Sequence, residues 1–396
     1  MKYQSTELLT TVNQFKVTEI WLKISGIWPD EPHGNVLRIF WAVDMLVMQA
    51  SQFAFLLSCF KVVDWVTWID IFGLFMLFTI ILLKLCLLWL GKSIFQEILI
   101  RMRNDIHESF STNRGVNIIL KKLEISDYCC KLILYFIVSC GFFYVLLFLV
   151  ISVYYTSSHT TSSTNEKLLL YSASFPFDKN KSPYYEFIIV FQIFNTILVS
   201  AISASTFCLI LVLVLHVGGQ IEIINEELMN ISSSESKQDI TGIISRIIEK
   251  HQKAIYLSKK IESLFSNIAM LQFIINTLAI CISCFIIIIT ITTDFTFITL
   301  MKFAMYYVVS NLEVLVLCYA GEYLSNKSLT VVDAIYNSCW YNLNRSDNQL
   351  LLLMTLRAQH QFVITAAKFI TLSLQCFSKI TRTSASYLSL LLAIYS

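Results

Sequence analysis

Seven long apolar runs constrain the fold of this chain more than any other feature of its sequence. A helix needs about 20 mostly apolar residues to cross the hydrocarbon core of a bilayer. Helices also satisfy their own backbone hydrogen bonds, so such runs form helices in lipid. We therefore predict an all-α, polytopic membrane protein with seven transmembrane helices. The predicted spans are 36–60, 66–90, 129–153, 186–217, 266–292, 300–322 and 364–395.

Composition excludes the main alternatives to a helical membrane protein. Of the 396 residues, 56% are hydrophobic and 14% are charged, whereas a soluble domain has about 25% charged residues. The apolar runs are continuous rather than alternating, which excludes a membrane β-barrel. The net charge is only +2 and no basic block is present, so no nucleic-acid partner is expected.

The distribution of Lys and Arg predicts the orientation of the spans. These residues concentrate in 91–131 and 218–265, whereas 154–185 has few and 293–299 has none. Basic loops remain in the cytoplasm. The N-terminus is therefore predicted inside and the C-terminus outside, the inverse of a G-protein-coupled receptor.

This orientation divides the chain into alternating membrane and cytoplasmic segments. In 240–268, isoleucines recur at helical spacing, which predicts a cytoplasmic helix that continues into the fifth span. Such amphipathic helices either pack within one subunit or form a platform between subunits, and the pattern leaves both interpretations open. The predicted segments are a cytoplasmic N-terminus with a short amphipathic stretch (1–35), the first four spans (36–217), a cytoplasmic helical extension (218–265), spans five and six (266–322), a second cytoplasmic helix (323–363) and the seventh span (364–396).

The sequence contains none of the motifs that carry enzymatic chemistry. Phosphate-binding, zinc-protease and serine-hydrolase patterns are missing, and the histidines are scattered. The Cys281-x-x-Cys284 pair lies among isoleucines, where a cysteine behaves as a small apolar residue. We predict no enzymatic activity, no metal site and no cofactor.

Three stretches of the chain resemble insect odorant receptors. The first is Ile24–Pro29, which reads Ile-Ser-Gly-Ile-Trp-Pro before the first span. The second surrounds the start of the fourth span, and the third is a C-terminal block. The second comprises Pro176–Asp178, Ser182–Glu186 and Gln192, and the third comprises Ala334–Tyr341, Leu350–Gln359, Thr365–Phe369 and Ser384–Tyr387. The end of the chain, Tyr387–Ser396, fits the related gustatory receptors poorly.

The resemblance implies a ligand-gated, non-selective cation channel in the plasma membrane of sensory-neuron dendrites. This chain would be the odorant-tuning subunit of a heterotetramer with the odorant receptor co-receptor. Its partners would be that co-receptor, a small volatile odorant, lipid and permeating cations. In such channels the last helix lines the pore, and the cytoplasmic ends of helices four to seven join the subunits. A homomeric channel gated without a co-receptor is the nearest alternative, and a gustatory-type receptor is more distant.

The last span has a candidate gate. Ser386, Leu390 and Ile394 recur every four residues and therefore share one helix face. Under the resemblance, Leu390 and Ile394 form apolar rings that close the pore by dewetting. The alternative is that they pack against neighbouring helices. Lys379 and Arg382 would oppose cation flux, so we expect them to point off the pore axis or to pair with a carboxylate.

A ligand pocket is expected in the outer half of helices two, three, four and six. Sites for small apolar ligands are lined by aromatic and aliphatic side chains with few polar groups. Aromatics at helical spacing also occur in ordinary cores, so we expect about half of the candidates to contact ligand. The candidates are Trp68, Phe72, Phe75, Phe143, Leu147, Ile151, Phe187, Phe191, Phe303, Tyr306 and Tyr307.

Overall fold

The computed structural model describes residues 16–29, 31–60, 65–112, 115–158, 168–178, 180–231, 237–292 and 297–395. These residues form ten α-helices, one 3₁₀ turn (Trp340–Asn342) and one short hairpin. The helices are α1 (Lys16–Ile24), α2 (Gly34–Cys59), α3 (Trp65–Leu90), α4 (Lys92–Thr112), α5 (Val116–Ser158), α6 (Tyr184–Met229), α7 (Lys237–Thr292), α8 (Phe297–Tyr336), α9 (Arg345–Ala358) and α10 (Leu374–Tyr395). The hairpin strands are β1 (Thr365–Ala366) and β2 (Ile370–Thr371).

Six of the described helices, α2, α3 and α5 to α8, are long and apolar enough to cross a bilayer. Helix α10 supplies the seventh span, and it is less apolar because Lys379, Arg382 and several Ser and Thr residues interrupt it. The predicted all-α fold with seven membrane helices is confirmed.

Helix α6 forms the centre of the bundle. In its most apolar window 83% of the residues are buried, against 17% for α5. Small residues such as Ala201, Ser203 and Ala204 let the neighbouring helices approach closely. Helix α5 therefore lies at the periphery, with most of its membrane surface facing lipid.

The cytoplasmic half of α7 is amphipathic, and other helices of the same subunit bury its apolar face. Ile240, Ile244, Ile247 and Ile261 are all buried in the single chain. The helix continues without a break into the fifth span, as the isoleucine spacing predicts. These isoleucines are not the surface that another subunit would cover.

Ion pairs hold the cytoplasmic helices together. Lys260 of α7 lies 2.7 Å from Glu97 of α4. Hydrogen bonds from Lys260 and Tyr256 lower the pKa of Glu97 to about 2. Glu222 of α6 accepts bonds from Lys122 of α5, at 2.8 Å, and from Lys327 of α8, at 2.5 Å. These pairs are partly buried but remain accessible to water, so they fix the register of the helices more than they add to stability.

The seventh helix begins at Leu374, whereas the sequence predicts one helix over 364–396. Residues 367–369 join β1 to β2, and the Phe369 N–H donates to the Ala366 carbonyl around a turn centred on Ala367 (φ 49°) and Lys368 (φ 64°). Both residues adopt the left-handed conformation that such hairpin turns require. Contacts with α7 hold the hairpin: the Ala367 N–H donates to the carbonyl of Ser266 at 3.0 Å. The conformation is thus imposed by tertiary contacts that local sequence does not signal.

The second cytoplasmic helix, predicted over 323–363, is also interrupted. Helix α8 runs from the membrane to Tyr336, and α9 starts at Arg345 after the 3₁₀ turn. The break lets α9 fold back against α8 and α7.

We predict that Gly321→Ala destabilises the protein. A Cβ at Gly321 on α8 would overlap the backbone carbonyl of Leu372, which precedes α10. Overpacking of this kind costs about 1–3 kcal/mol. The thermal unfolding midpoint of the detergent-solubilised protein should fall by several degrees.

Gly242→Ala on α7 is the matched control, because a Cβ there meets no other atom within 4 Å. Ala is favoured over Gly by about 1 kcal/mol in a helix, so this variant should be neutral or slightly stabilised. Equal midpoints for the two variants would contradict the close approach of α8 to Leu372.

Candidate functional site

A cavity lies between α3, α5, α6 and α8, in the half of the bundle predicted to be extracellular. Its volume is about 110 Å³. Most of its surface comes from aliphatic side chains, among them Leu74, Leu147 and Val309. A minority of polar groups points into the same space. The polar lining residues are Tyr144, Tyr171, Thr196, Ser200, Ser203, Lys302, Tyr306 and Glu313.

The segment 168–178 folds into the bundle and closes the cavity on its outer side. Tyr171 and Gln192 are paired twice: the Tyr171 N–H donates to Gln192 Oε1 at 3.2 Å, and Gln192 Nε2 donates to the Tyr171 carbonyl at 3.1 Å. The Tyr171 hydroxyl bonds Thr196, and the Tyr144 hydroxyl donates to the Leu170 carbonyl. This segment is therefore a fixed wall of the cavity.

Two of the predicted pocket residues, Leu147 and Tyr306, line this cavity. Phe143, Phe187 and Phe191 instead face outward, and 76% of Phe187 is exposed. Lipid and a cavity both accept aromatic side chains, so composition does not distinguish these two environments.

Of the remaining candidates, Phe72 lines a smaller neighbouring cavity described below, and the others pack elsewhere in the outer half of the bundle. Trp68 stacks on Phe72 with a centroid distance of 5.3 Å, and Phe75 contacts Phe53 of α2. Phe303 is buried beside Phe285 of α7. The other two candidates, Ile151 and Tyr307, are partly buried and do not line the cavity.

The floor of the cavity is a carboxylate that no predicted site includes. Gln272 Nε2 donates to Glu313 Oε2 at 2.6 Å, and Asn276 Nδ2 donates to the same oxygen at 3.1 Å. Ser203 Oγ donates to Glu313 Oε1 at 3.4 Å. An ionisable residue inside a span is costly and marks a functional position. That rule, applied to Glu313 within an apolar run, is the signal by which the sequence could have revealed this site.

A second, smaller cavity of about 60 Å³ extends the first towards α7. Glu313, Ser203, Leu77 and Ile81 line both spaces, so the two cavities meet at the carboxylate. Lys84 of α3 lines the second cavity, with its ammonium 4.4 Å from the ring centroid of Phe207. The two cavities thus lie side by side, with Glu313 as a wall of each.

An ion pair borders the cavity near its outer end. Lys302 Nζ of α8 lies 2.8 and 2.6 Å from the two carboxylate oxygens of Asp70 on α3. The same ammonium is 6.0 Å from the ring centroid of Tyr144 and 5.4 Å from that of Phe303. The pair joins the two helices whose separation determines the width of the cavity.

Helix α10 packs on α7 and α8 by one face only. Cys376 and Ser384 are buried there, and Cys281 of α7 donates to the Ser384 carbonyl at 3.2 Å. Ser386 and Leu390, two of the predicted gate residues, lie on the exposed face, and 58% of Leu390 is exposed. The side chain of the third, Ile394, lies outside the described residues.

We predict that Asp70→Asn destabilises the outer end of the bundle, because Lys302 is left without its counter-ion at a partly buried position. The expected loss is about 1–3 kcal/mol, measured as thermal unfolding of the purified protein. The double variant Asp70→Leu, Lys302→Met removes both charges and should recover most of that loss. Equal stability of the single variant and the wild type would show that the pair does not hold α3 to α8.

The chain matches the family model described as 7tm Odorant receptor over residues 66–385. Odorant receptor 82a of Drosophila melanogaster is 26% identical over 229 residues, which are 58% of this chain and 58% of that protein. Odorant receptor 67c of the same species is 29% identical over 165 residues, 42% of this chain and 39% of that protein. These matches span less than two thirds of each relative.

Solved structures show the same fold over nearly the whole chain. The insect olfactory receptor OR5 from Machilis hrabei, solved in complex with eugenol, has a TM-score of 0.80 at 15% identity. The match covers 98% of this chain and 99% of that one. A second structure of OR5 has a TM-score of 0.75 at 16% identity. Because the family model covers most of its length, this chain belongs to the seven-transmembrane odorant receptor family of insects.

Proposed function

We propose that this chain is the odorant-binding subunit of a ligand-gated, non-selective cation channel in the dendritic plasma membrane of sensory neurons. The observation that carries the proposal is the cavity between α3, α5, α6 and α8. Its floor, Glu313, is bonded to α7, and α7 is bonded in turn to α10.

The cavity suits a small, mostly apolar ligand. An apolar cavity of about 150 Å³ accommodates benzene, so a space of about 110 Å³ holds a ligand of a few carbon atoms before side chains move. The hydroxyls of Tyr144, Tyr306 and Thr196 supply hydrogen-bonding groups at its surface. An ester, ketone or alcohol would satisfy one of them and leave its carbon chain among Leu74 and Leu147.

Two sets of hydrogen bonds connect the cavity to α10, the helix proposed to line the pore. On α7, Asn276 bonds Glu313, and Cys281, just over one turn further along, bonds the Ser384 carbonyl of α10. On α8, Glu322 accepts the Leu374 N–H at 3.4 Å. A ligand that binds better when α8 is displaced shifts the population towards that state. Displacement of α8 against α7 would then move α10 at both points.

The proposed gate is formed by Ser386, Leu390 and Ile394 from each subunit. Leu390 is exposed on the face of α10 that turns away from its own subunit. In a tetramer this face would meet the central axis, and a ring of leucines closes a narrow pore by excluding water. Motion of α10 would then open or close the ring.

An exposed apolar surface supports assembly with other subunits. It comprises Tyr336, Tyr341, Leu352 and Leu353 of α8, the 3₁₀ turn and α9. The surface borders a concavity of about 370 Å³ on the predicted cytoplasmic side, where lipid does not cover it. Apolar patches in water mark protein contacts. We infer that the odorant receptor co-receptor covers this surface in a heterotetramer.

The proposal is tested by whole-cell recording in cells that lack odorant receptors. The chain is expressed with and without the co-receptor, and esters, alcohols, aldehydes and terpenoids are applied. We expect odorant-evoked cation current only when both chains are present. Current from cells that express this chain alone would show that the channel is homomeric and needs no co-receptor. Silence of a complex that reaches the cell surface, over the whole panel, would reject the odorant-binding role.

We predict that Leu147→Ala shifts the preferred ligand to longer carbon chains, because Leu147 lines the cavity and its truncation enlarges the apolar space. Each methylene is worth about 1–3 kcal/mol in such a site, so the half-maximal concentration for a matched longer homologue should fall about tenfold or more. Dose–response curves over a homologous series measure this shift. The control is Leu149→Ala on the same helix, since Leu149 faces outward. An identical shift in both variants would place the ligand elsewhere.

A further inference from the structure

The charged residues that follow Asp347 in the chain are all basic. No Asp or Glu follows Asp347, whereas Arg357, Lys368, Lys379 and Arg382 do. Lys379 and Arg382 lie within α10, about 8 and about 12 Å along the helix axis from Leu374 at its cytoplasmic end. The helix therefore carries two cations, and no carboxylate of its own neutralises them.

Both cations lie on the face of α10 that its own subunit leaves open. Lys379, Arg382 and Ser386 follow one another by three and four residues and share that face. All three are exposed, whereas Cys376 and Ser384 are buried on the opposite side. Neither cation forms an ion pair within the part of the chain that the structure describes. In the single subunit the two cations therefore share the Ser386 face and meet no carboxylate among the described residues.

Lipid is a poor environment for this face. Besides the two cations it presents the hydroxyls of Thr383, Ser386 and Ser389, all exposed in the subunit. Polar and charged residues within a span face water or protein rather than hydrocarbon, because their burial in lipid is costly. The face must therefore be covered by water or by other subunits.

We propose that Lys379 and Arg382 line the cytoplasmic vestibule of the pore and lower its permeability to divalent cations. This inference rests on the proposed channel function, since it assigns a role in ion selection to the exposed face of α10. Each copy of this chain would add two fixed positive charges where permeating ions leave the gate. Four copies would place a ring of each cation around one axis, so the charge also opposes conduction by a homotetramer.

Coulomb's law gives the size of the effect. A unit charge about 10 Å from a permeating ion in water lowers occupancy by a monovalent cation about twofold and by a divalent cation about fourfold. Removal of one charge should therefore raise the ratio of calcium to sodium permeability about twofold. Removal of both should raise it about two- to fourfold, because salt screens part of the interaction.

The test uses the full-length chain co-expressed with the co-receptor. Reversal potentials of the odorant-evoked current are measured in external sodium and in external calcium for the wild type and for K379Q/R382Q. We expect the permeability ratio to rise about two- to fourfold in the double variant. The single variants K379Q and R382Q should each give about a twofold rise, and they serve if the double variant does not reach the surface.

Two controls separate pore charge from other effects. K368Q removes an exposed lysine from the hairpin outside α10, and K379R/R382K keeps both charges, so both should keep the wild-type ratio. An unchanged ratio in K379Q/R382Q, with normal surface expression and odorant-evoked current, would overturn this inference and leave the proposed function standing. Absence of odorant-evoked current from the wild-type complex would overturn both.

Discussion

A carboxylate in the interior of a membrane protein must take its hydrogen bonds from the protein, because lipid offers none. Glu313 meets this constraint with three donors: Gln272 and Asn276 of α7 and Ser203 of α6. Lys84 of α3 borders the same space. Helices α6, α7 and α8 are therefore held in register around one side chain, while α3 closes over it. This arrangement determines where the cavity lies. It also brings the cavity into contact with α7, which is bonded to α10.

The cavity exists because the residues opposite its tyrosines are short. Thr196, Ser200 and Ser203 of α6 face Tyr144 of α5 and Tyr306 of α8, and their small side chains leave a gap between the helices. The Thr196 and Ser200 hydroxyls donate along their own helix, to the Gln192 and Thr196 carbonyls at 2.7 Å each, whereas Ser203 donates to Glu313. The space is therefore apolar enough for a carbon chain and retains a few polar groups. Tyr171 fixes its outer wall through Gln192, which is a more rigid closure than a free loop would provide.

Hydropathy was sufficient to predict the spans, because continuous apolar runs of this length have few other uses. It was not sufficient to predict which aromatics line the cavity. Phe187 faces lipid and Tyr306 faces the cavity, yet both environments select the same residue types. The hairpin was also hidden, since Ala367 and Lys368 are good helix formers that tertiary bonds to α7 hold in a left-handed conformation. Glu313 could have been found, because an acidic residue inside an apolar run requires an explanation.

The single subunit exposes two surfaces that do not suit their surroundings: a polar face of α10 within the membrane and an apolar face of α8 and α9 in water. Within the membrane, Asp70 is paired with Lys302 and Asp44 with Asn195, whereas α10 exposes cations and hydroxyls. In the cytoplasm, the face with Leu352 and Leu353 is apolar and exposed. Each surface would be costly in an isolated subunit: polar groups in lipid and a large apolar patch in water. The proposed aqueous path along α10 and the proposed subunit contact at α8 and α9 would remove both costs in one assembly. The physical incompleteness of the subunit is therefore itself an argument that an oligomer around an aqueous axis is the functional unit.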